Sequence, residues 1–145
     1  IIAREKEGLL PFLHFLKSKR KAGYEKLYVT WKGLTFRRQH ADLFRDAEYI
    51  PLIVKPTGVE VVAFARRLSE PWIVVVTPHG LARHRLQDQP YAPEPDERKF
   101  VELPFGAPGL WKNILTGETI PATNKLALFD VFKDFPVALL SGVAG

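Results

Sequence analysis

The 145-residue sequence contains no cysteine and no methionine. Without cysteine there can be no disulfide, thiolate metal ligand or cysteine nucleophile, a composition that fits a reducing, cytoplasmic compartment. Without methionine even at position 1, where Ile1 stands, the chain is expected to be an excised piece of a longer product. No apolar run approaches the length of about 20 residues that a membrane span needs, and no charged-then-apolar leader ending in small residues is found. A soluble, cytoplasmic chain is therefore expected.

Acidic residues are also in short supply, with 16 against 21 Lys and Arg, for a net charge of +5. Such a balance raises nucleic acid as a partner. The densest basic run, Lys17–Lys21, reads more simply as the solvated last turn of a helix, where cations complement the dipole. No RNP-like, KH or zinc-knuckle pattern accompanies the charge. With 46% hydrophobic and 26% charged residues, the chain suits one domain with a substantial core.

The hydrophobic pattern divides the chain near residue 47. Leu9, Phe12, Leu13 and Leu16 form an i, i+3, i+4, i+7 set and predict a short amphipathic helix, with Pro11 tolerated in its first turn. His14 in this segment reads as a core or boundary residue. Ala22-Gly23 ends the helix, and residues 24–44 form the longest helical pattern, giving an antiparallel helical pair. Its apolar stripe comprises Tyr24, Leu27, Tyr28, Trp31 and Leu34, with Arg38 one turn beyond. Val29 and Phe36 lie on nearly the opposite side, so the helix is expected to bury apolar surface in two directions. Fraying is expected over 38–44, where Asp42 and Asp46 compete for backbone hydrogen bonds.

From Glu48 the period shortens to that of strands. Residues 49–54 and 59–67 predict a hairpin around the Lys55-Pro56-Thr57-Gly58 turn, and 71–77 predict the most apolar, central strand. Residues 81–98 predict a long loop. Strands are expected at 99–103, as a hairpin over 110–121, and at 135–140; Leu126–Phe132 suits a short helix or irregular strand. The expected class is α+β, mainly β: a helical pair over 1–47, then an antiparallel β-sandwich over 48–145 with about six to eight strands.

Chemistry-bearing patterns are missing. His40, His79 and His84 have no GxSxG nucleophile elbow to serve, and no phosphate-binding glycine motif or metal-ligand spacing occurs. Glu94, Asp96 and Glu97 share a Pro-rich loop, where solubility explains them better than acid/base work. Arg83-His84-Arg85 is a weak phosphate-binding signal.

The run KLYVTWKGLTFRRQHADLF, followed in order by AEYIPL, VVAFARR, WIVVVTP, WKNILTGE and FPVALL, resembles the C-terminal end of maltooligosyl trehalose synthases. That family carries Lys-Leu-x-x-Thr-x-x-x-Leu-x-x-Arg-Arg here, matched by Lys26, Leu27, Thr30, Leu34, Arg37 and Arg38. Ala41 departs from the Pro usual after the helix-end His, a difference confined to a turn. The resemblance spans roughly Gly23 to Leu140. It implies an enzyme of glycoside hydrolase family 13 that converts the reducing-end α-1,4 linkage of a maltooligosaccharide into the α,α-1,1 linkage of maltooligosyl trehalose.

In such enzymes a (β/α)₈ barrel carries the Asp nucleophile, Glu acid/base and second Asp, following the two-carboxylate logic of retaining glycosidases. The resemblance places those residues upstream of this chain, with no catalytic residue, metal or cofactor here. It makes this chain an amylase-type C-terminal domain packed on the barrel of its own polypeptide. Its helix would join the two and leave Val29 and Phe36, or part of the main stripe, exposed or covered by a neighbour. Binding of maltooligosaccharide at a surface module is the alternative, with Trp72, Tyr91 and Trp111 as candidate stacking rings; core burial competes for both Trp residues. A basic nucleic-acid-binding domain is the further alternative.

Overall fold

The computed structural model describes residues 8–19, 23–79, 95–96 and 98–143. Helix α1 (Leu9–Ser18) forms on the predicted stripe and buries Phe12, Leu13 and Leu16. His14 is exposed rather than at the core. Lys17 lies in the last turn, and the Ser18 hydroxyl donates to the Phe15 carbonyl at 2.7 Å. Helix α2 (Tyr24–Gln39) follows, then α3 (Ala41–Asp46).

The long helical pattern is broken at His40 instead of fraying toward Phe44. The His40 backbone N–H donates to the Phe36 carbonyl at 3.0 Å, and its ring Nδ1 lies 3.0 Å from the same oxygen. The ring also stacks on Phe36, with centroids 4.1 Å apart. Phe44 on α3 then meets Phe36 edge-on. Arg66 donates to the Phe44 carbonyl and ties α3 to the sheet.

The β region comprises β1 (Glu48–Pro51), β2 (Val54–Lys55), β3 (Val61–Arg67), β4 (Trp72–Pro78), β5 (Phe100–Glu102), β6 (Leu110–Asn113), β7 (Thr119–Pro121), β8 (Lys125–Ala127) and β9 (Ala138–Gly142). A short helix, α4 (Leu128–Val131), follows β8. Six strands form an antiparallel sheet in the order β1-β3-β4-β9-β6-β7; β2, β5 and β8 form a second, also antiparallel. The apolar strand β4 is interior, between β3 and β9. The predicted first strand is divided: β1 pairs with β3, whereas β2 leaves for the other sheet. Pro51 helps to end β1 because it offers no N–H to a ladder. The Leu52 N–H still reaches Ala63, and the Ile53 carbonyl already accepts from Glu102 in the small sheet.

Strand alternation places two cores on opposite faces of the large sheet. Ala63, Val76 and Ala138 lie side by side in register, as do Ala65, Val74 and Leu140. With Trp72, Trp111 and Ile120 they pack against Val101 and Leu126 of the small sheet and against α4. On the other face, Ile73 and Leu139 meet Phe12, Leu13 and Leu16 of α1, Tyr28 and Phe36 of α2, and Leu43 of α3. The helices thus share a core with the sheet they precede.

Candidate functional site

Trp72 and Trp111 are the predicted stacking rings whose positions are described. Both belong to the core between the sheets, with 3% and 0% of their surfaces exposed. Their strand positions explain this: Trp72 alternates with Val74 and Val76, and Trp111 is paired with Ile120. Arg67 lies over the Trp72 ring, its guanidinium carbon 5.1 Å from the centroid. Neither ring offers a face on which a sugar can stack. The buried Trp111 Nε1 has no hydrogen-bond partner among the described residues. Tyr91 lies outside the described residues, as do His84, Arg83, Arg85, Glu94 and Glu97.

On α2 the exposed apolar residues belong to the main stripe. Tyr28 and Phe36 are buried, while Leu27 and Leu34 of the main stripe are 55% and 58% exposed. Helical geometry, at about 100° per residue, puts Lys26, Leu27, Thr30, Leu34, Arg37 and Arg38 within an arc of about 120°. All six are exposed. Thr30 spends its hydroxyl on the Lys26 carbonyl at 2.8 Å, so the face is apolar at its centre and cationic at its margins. Trp31, at one edge, is half-buried and carries Lys32 Nζ 4.9 Å from its ring centroid.

A cleft of about 400 Å³ opens beside the β3–β4 turn. Arg67, Ser69 and Glu70 supply polar groups, and Pro108, Leu110 and Val143 supply apolar wall. Ser69 holds a left-handed backbone (φ +55°), which is costly for a residue with a side chain. The Arg67 Nε donates to the Ser69 carbonyl at 3.3 Å, which fixes the guanidinium over Trp72. Next to the cleft, the turn from Pro104 to Ala107 presents Phe105 fully to solvent. The signal for this display was the Pro104-Phe105-Gly106 sequence, in which Gly106 takes φ +82°.

Among the described residues, titratable groups form small local clusters rather than a catalytic constellation. Arg98 donates to Asp96 at 2.9 Å and holds that carboxyl below its usual range. Burial, with the neighbouring Asp134 carboxyl second, raises Glu118; Lys133 Nζ at 3.6 Å acts in the opposite sense. His14, His40 and His79 are exposed and lie on separate elements or loops. Among the described residues no three His, Asp or Glu side chains gather as a metal site, and no helix is long and apolar enough to cross a membrane. Comparison of the chain with protein families, curated proteins and solved structures finds no match.

Proposed function

We propose that the chain is the C-terminal accessory domain of a cytoplasmic enzyme of the maltooligosyl trehalose synthase type, acting in trehalose biosynthesis. On this reading its two sheets are the β-sandwich of an amylase-type C-terminal domain, and the (β/α)₈ barrel of the same polypeptide is its partner. The chain itself is non-catalytic. The parent enzyme moves the reducing-end glucose of a maltooligosaccharide from an α-1,4 to an α,α-1,1 linkage.

One observation carries the reading: the segments of the resemblance fall, in order, on separate elements of a helices-then-sheets chain. KLYVTWKGLTFRR lies on α2, AEYIPL contains β1, VVAFARR is β3 and WIVVVTP is β4. WKNILTGE runs from β6 through its turn, and FPVALL leads into β9. The ordering supports common architecture better than any single short motif does.

The test is the polypeptide encoded by the gene. It should contain a barrel with the three carboxylates and form maltooligosyl trehalose from maltopentaose, while the present chain alone turns over nothing. An unrelated neighbouring domain, or turnover by this chain alone, overturns the proposal.

A further inference from the structure

The β3–β4 turn brings two opposite charges to one cleft and leaves them apart. Arg67 and Trp72 are register partners at the base of this turn, so their side chains share the sheet face that packs on the small sheet. Trp72 fills that core, and the exposed Arg67 lies over its ring. Glu70, three residues on, lines the same cleft as Arg67. Among the described residues no ion pair joins the two, and the Glu70 carboxylate has no hydrogen-bond partner.

The guanidinium is held in place without being used up. Its Nε donates to the carbonyl of Ser69, a residue whose backbone is itself fixed in the left-handed region, and its carbon stands 5.1 Å from the indole centroid. The two terminal nitrogens have no partner among the described residues. A planar fork fixed in this way loses little freedom when both of those nitrogens donate to one carboxylate.

The opposite wall is apolar and firmly built. Pro108 packs over Gly142, where a Cβ would come within 2.6 Å of the proline ring and 3.3 Å of the Trp72 Cβ. Leu110 and Val143 adjoin it, joined by the bond from the Val143 N–H to the Leu110 carbonyl at 2.9 Å, and both remain partly exposed. Phe105, next to Gly106 of the cleft lining, is fully exposed. A ligand with an apolar body gains by covering this surface. At about 400 Å³ the cleft lies toward the small end of the range of about 300–1,000 Å³ that small-molecule sites span.

We infer that this cleft is a binding site for a free α-amino acid with a large apolar side chain. Arg67 takes the carboxylate, Glu70 takes the ammonium, and Pro108, Leu110, Val143 and Phe105 cover the side chain. A simple anion is repelled by Glu70 and a simple amine by Arg67, so the zwitterion is the charge pattern that both groups favour. A neutral sugar uses neither charge. Nothing in this site depends on the parent enzyme, so its test is separate from that of the accessory-domain reading.

That test is an NMR titration of the chain with L-phenylalanine at neutral pH. The expected result is saturating shifts at the Arg67 Nε–H and at the Leu110 and Val143 amides. Phenylalanine amide, which lacks the carboxylate, and phenylpropionate, which lacks the ammonium, should each bind about tenfold more weakly, a modest factor because the charges are exposed. Arg67→Gln should weaken phenylalanine binding by a similar factor, but it also removes the cation over Trp72. Glu70→Gln removes no contact within the described residues. It should therefore keep the thermal midpoint, lose affinity for phenylalanine about tenfold and bind phenylpropionate no worse than wild type does. Absence of saturation by about 20 mM phenylalanine, weaker than a millimolar site allows, overturns the inference. Equal binding of phenylpropionate and phenylalanine to wild type reduces the cleft to an anion contact and overturns it too. So do cleft shifts produced by maltoheptaose and not by phenylalanine.

Discussion

The phenolic hydroxyl of Tyr28 donates a 2.8 Å hydrogen bond to the carbonyl oxygen of Leu115, joining α2 to the β6–β7 loop across 87 positions of sequence. The ring is fully buried and meets Phe12 and Phe135 edge-on, with centroids 5.2 and 5.7 Å away. One side chain therefore links both long helices to the sheet region. Tyr28→Phe keeps the ring packing and removes the donor, and should cost about 1–3 kcal/mol. Tyr28→Ala also opens a cavity and should cost about 3–5 kcal/mol. Urea unfolding should rank the midpoints wild type, Phe, Ala; a Phe variant equal to wild type would show that the hydroxyl contributes nothing.

The loop that receives Tyr28 is itself held from within. Asn113, almost fully buried, accepts the Leu115 N–H on its side-chain oxygen at 3.0 Å. Gly117 takes φ +76°, and a Cβ there would sit 2.9 Å from a Leu9 methyl on α1. Asn113→Ala leaves a buried N–H unpaired and should cost about 1–3 kcal/mol. Gly117→Ala should cost about 1–2 kcal/mol from backbone strain alone, plus the contact with Leu9. Adding Leu9→Ala should relieve the contact part only, so a double-mutant cycle by thermal unfolding should show favourable coupling between the two sites. Strict additivity would place α1 away from this loop.

Local pattern made some of this architecture legible and left the rest open. The α1 stripe and the apolar strand β4 could be read directly because each has one buried solution. Helix α2 could not be oriented, since Leu27 and Leu34 on one side compete with Val29 and Phe36 on the other. Long-range packing on Phe135 and the bond to Leu115 decide the rotation in favour of Tyr28 and Phe36. The separation of β2, β5 and β8 into their own sheet was equally hidden, because strand partners are not recorded in alternation. For the candidate site, the alternation of Trp72 with Val74 and Val76 already pointed to the core. The display of Phe105 depends on a turn that only its Pro and Gly neighbours signalled.

Burial of Trp72 and Trp111 bears on sugar binding. Trp31 is the remaining indole and is half-buried on α2. In a Trp31→Phe variant, emission should come from two dry, enclosed indoles, with a blue-shifted maximum and little quenching by iodide. Titration with maltoheptaose should leave that emission unchanged. A sugar-dependent shift would require an accessible ring face and would contradict the enclosed positions of both residues.

Glu118 supplies a pH test. Burial raises its pKa first, and a hydrogen bond with Asp134 and the charge of that carboxyl add to the rise; Lys133 opposes them without reversing the direction. A carboxyl bonded to another carboxyl is most stable while one of the two keeps its proton. With the folded pKa raised, the associated stability is fully present below the unfolded value of about 4.3 and is lost as pH rises through the folded value. Glu118→Gln cannot ionise and escapes that loss. The variant should therefore gain on wild type as pH rises from about 4 to 7. Urea midpoints of both proteins at the two pH values measure the difference. A gap that moves toward wild type at pH 7 would mean that the Lys133 ion pair outweighs the neighbouring carboxyl and the burial of Glu118.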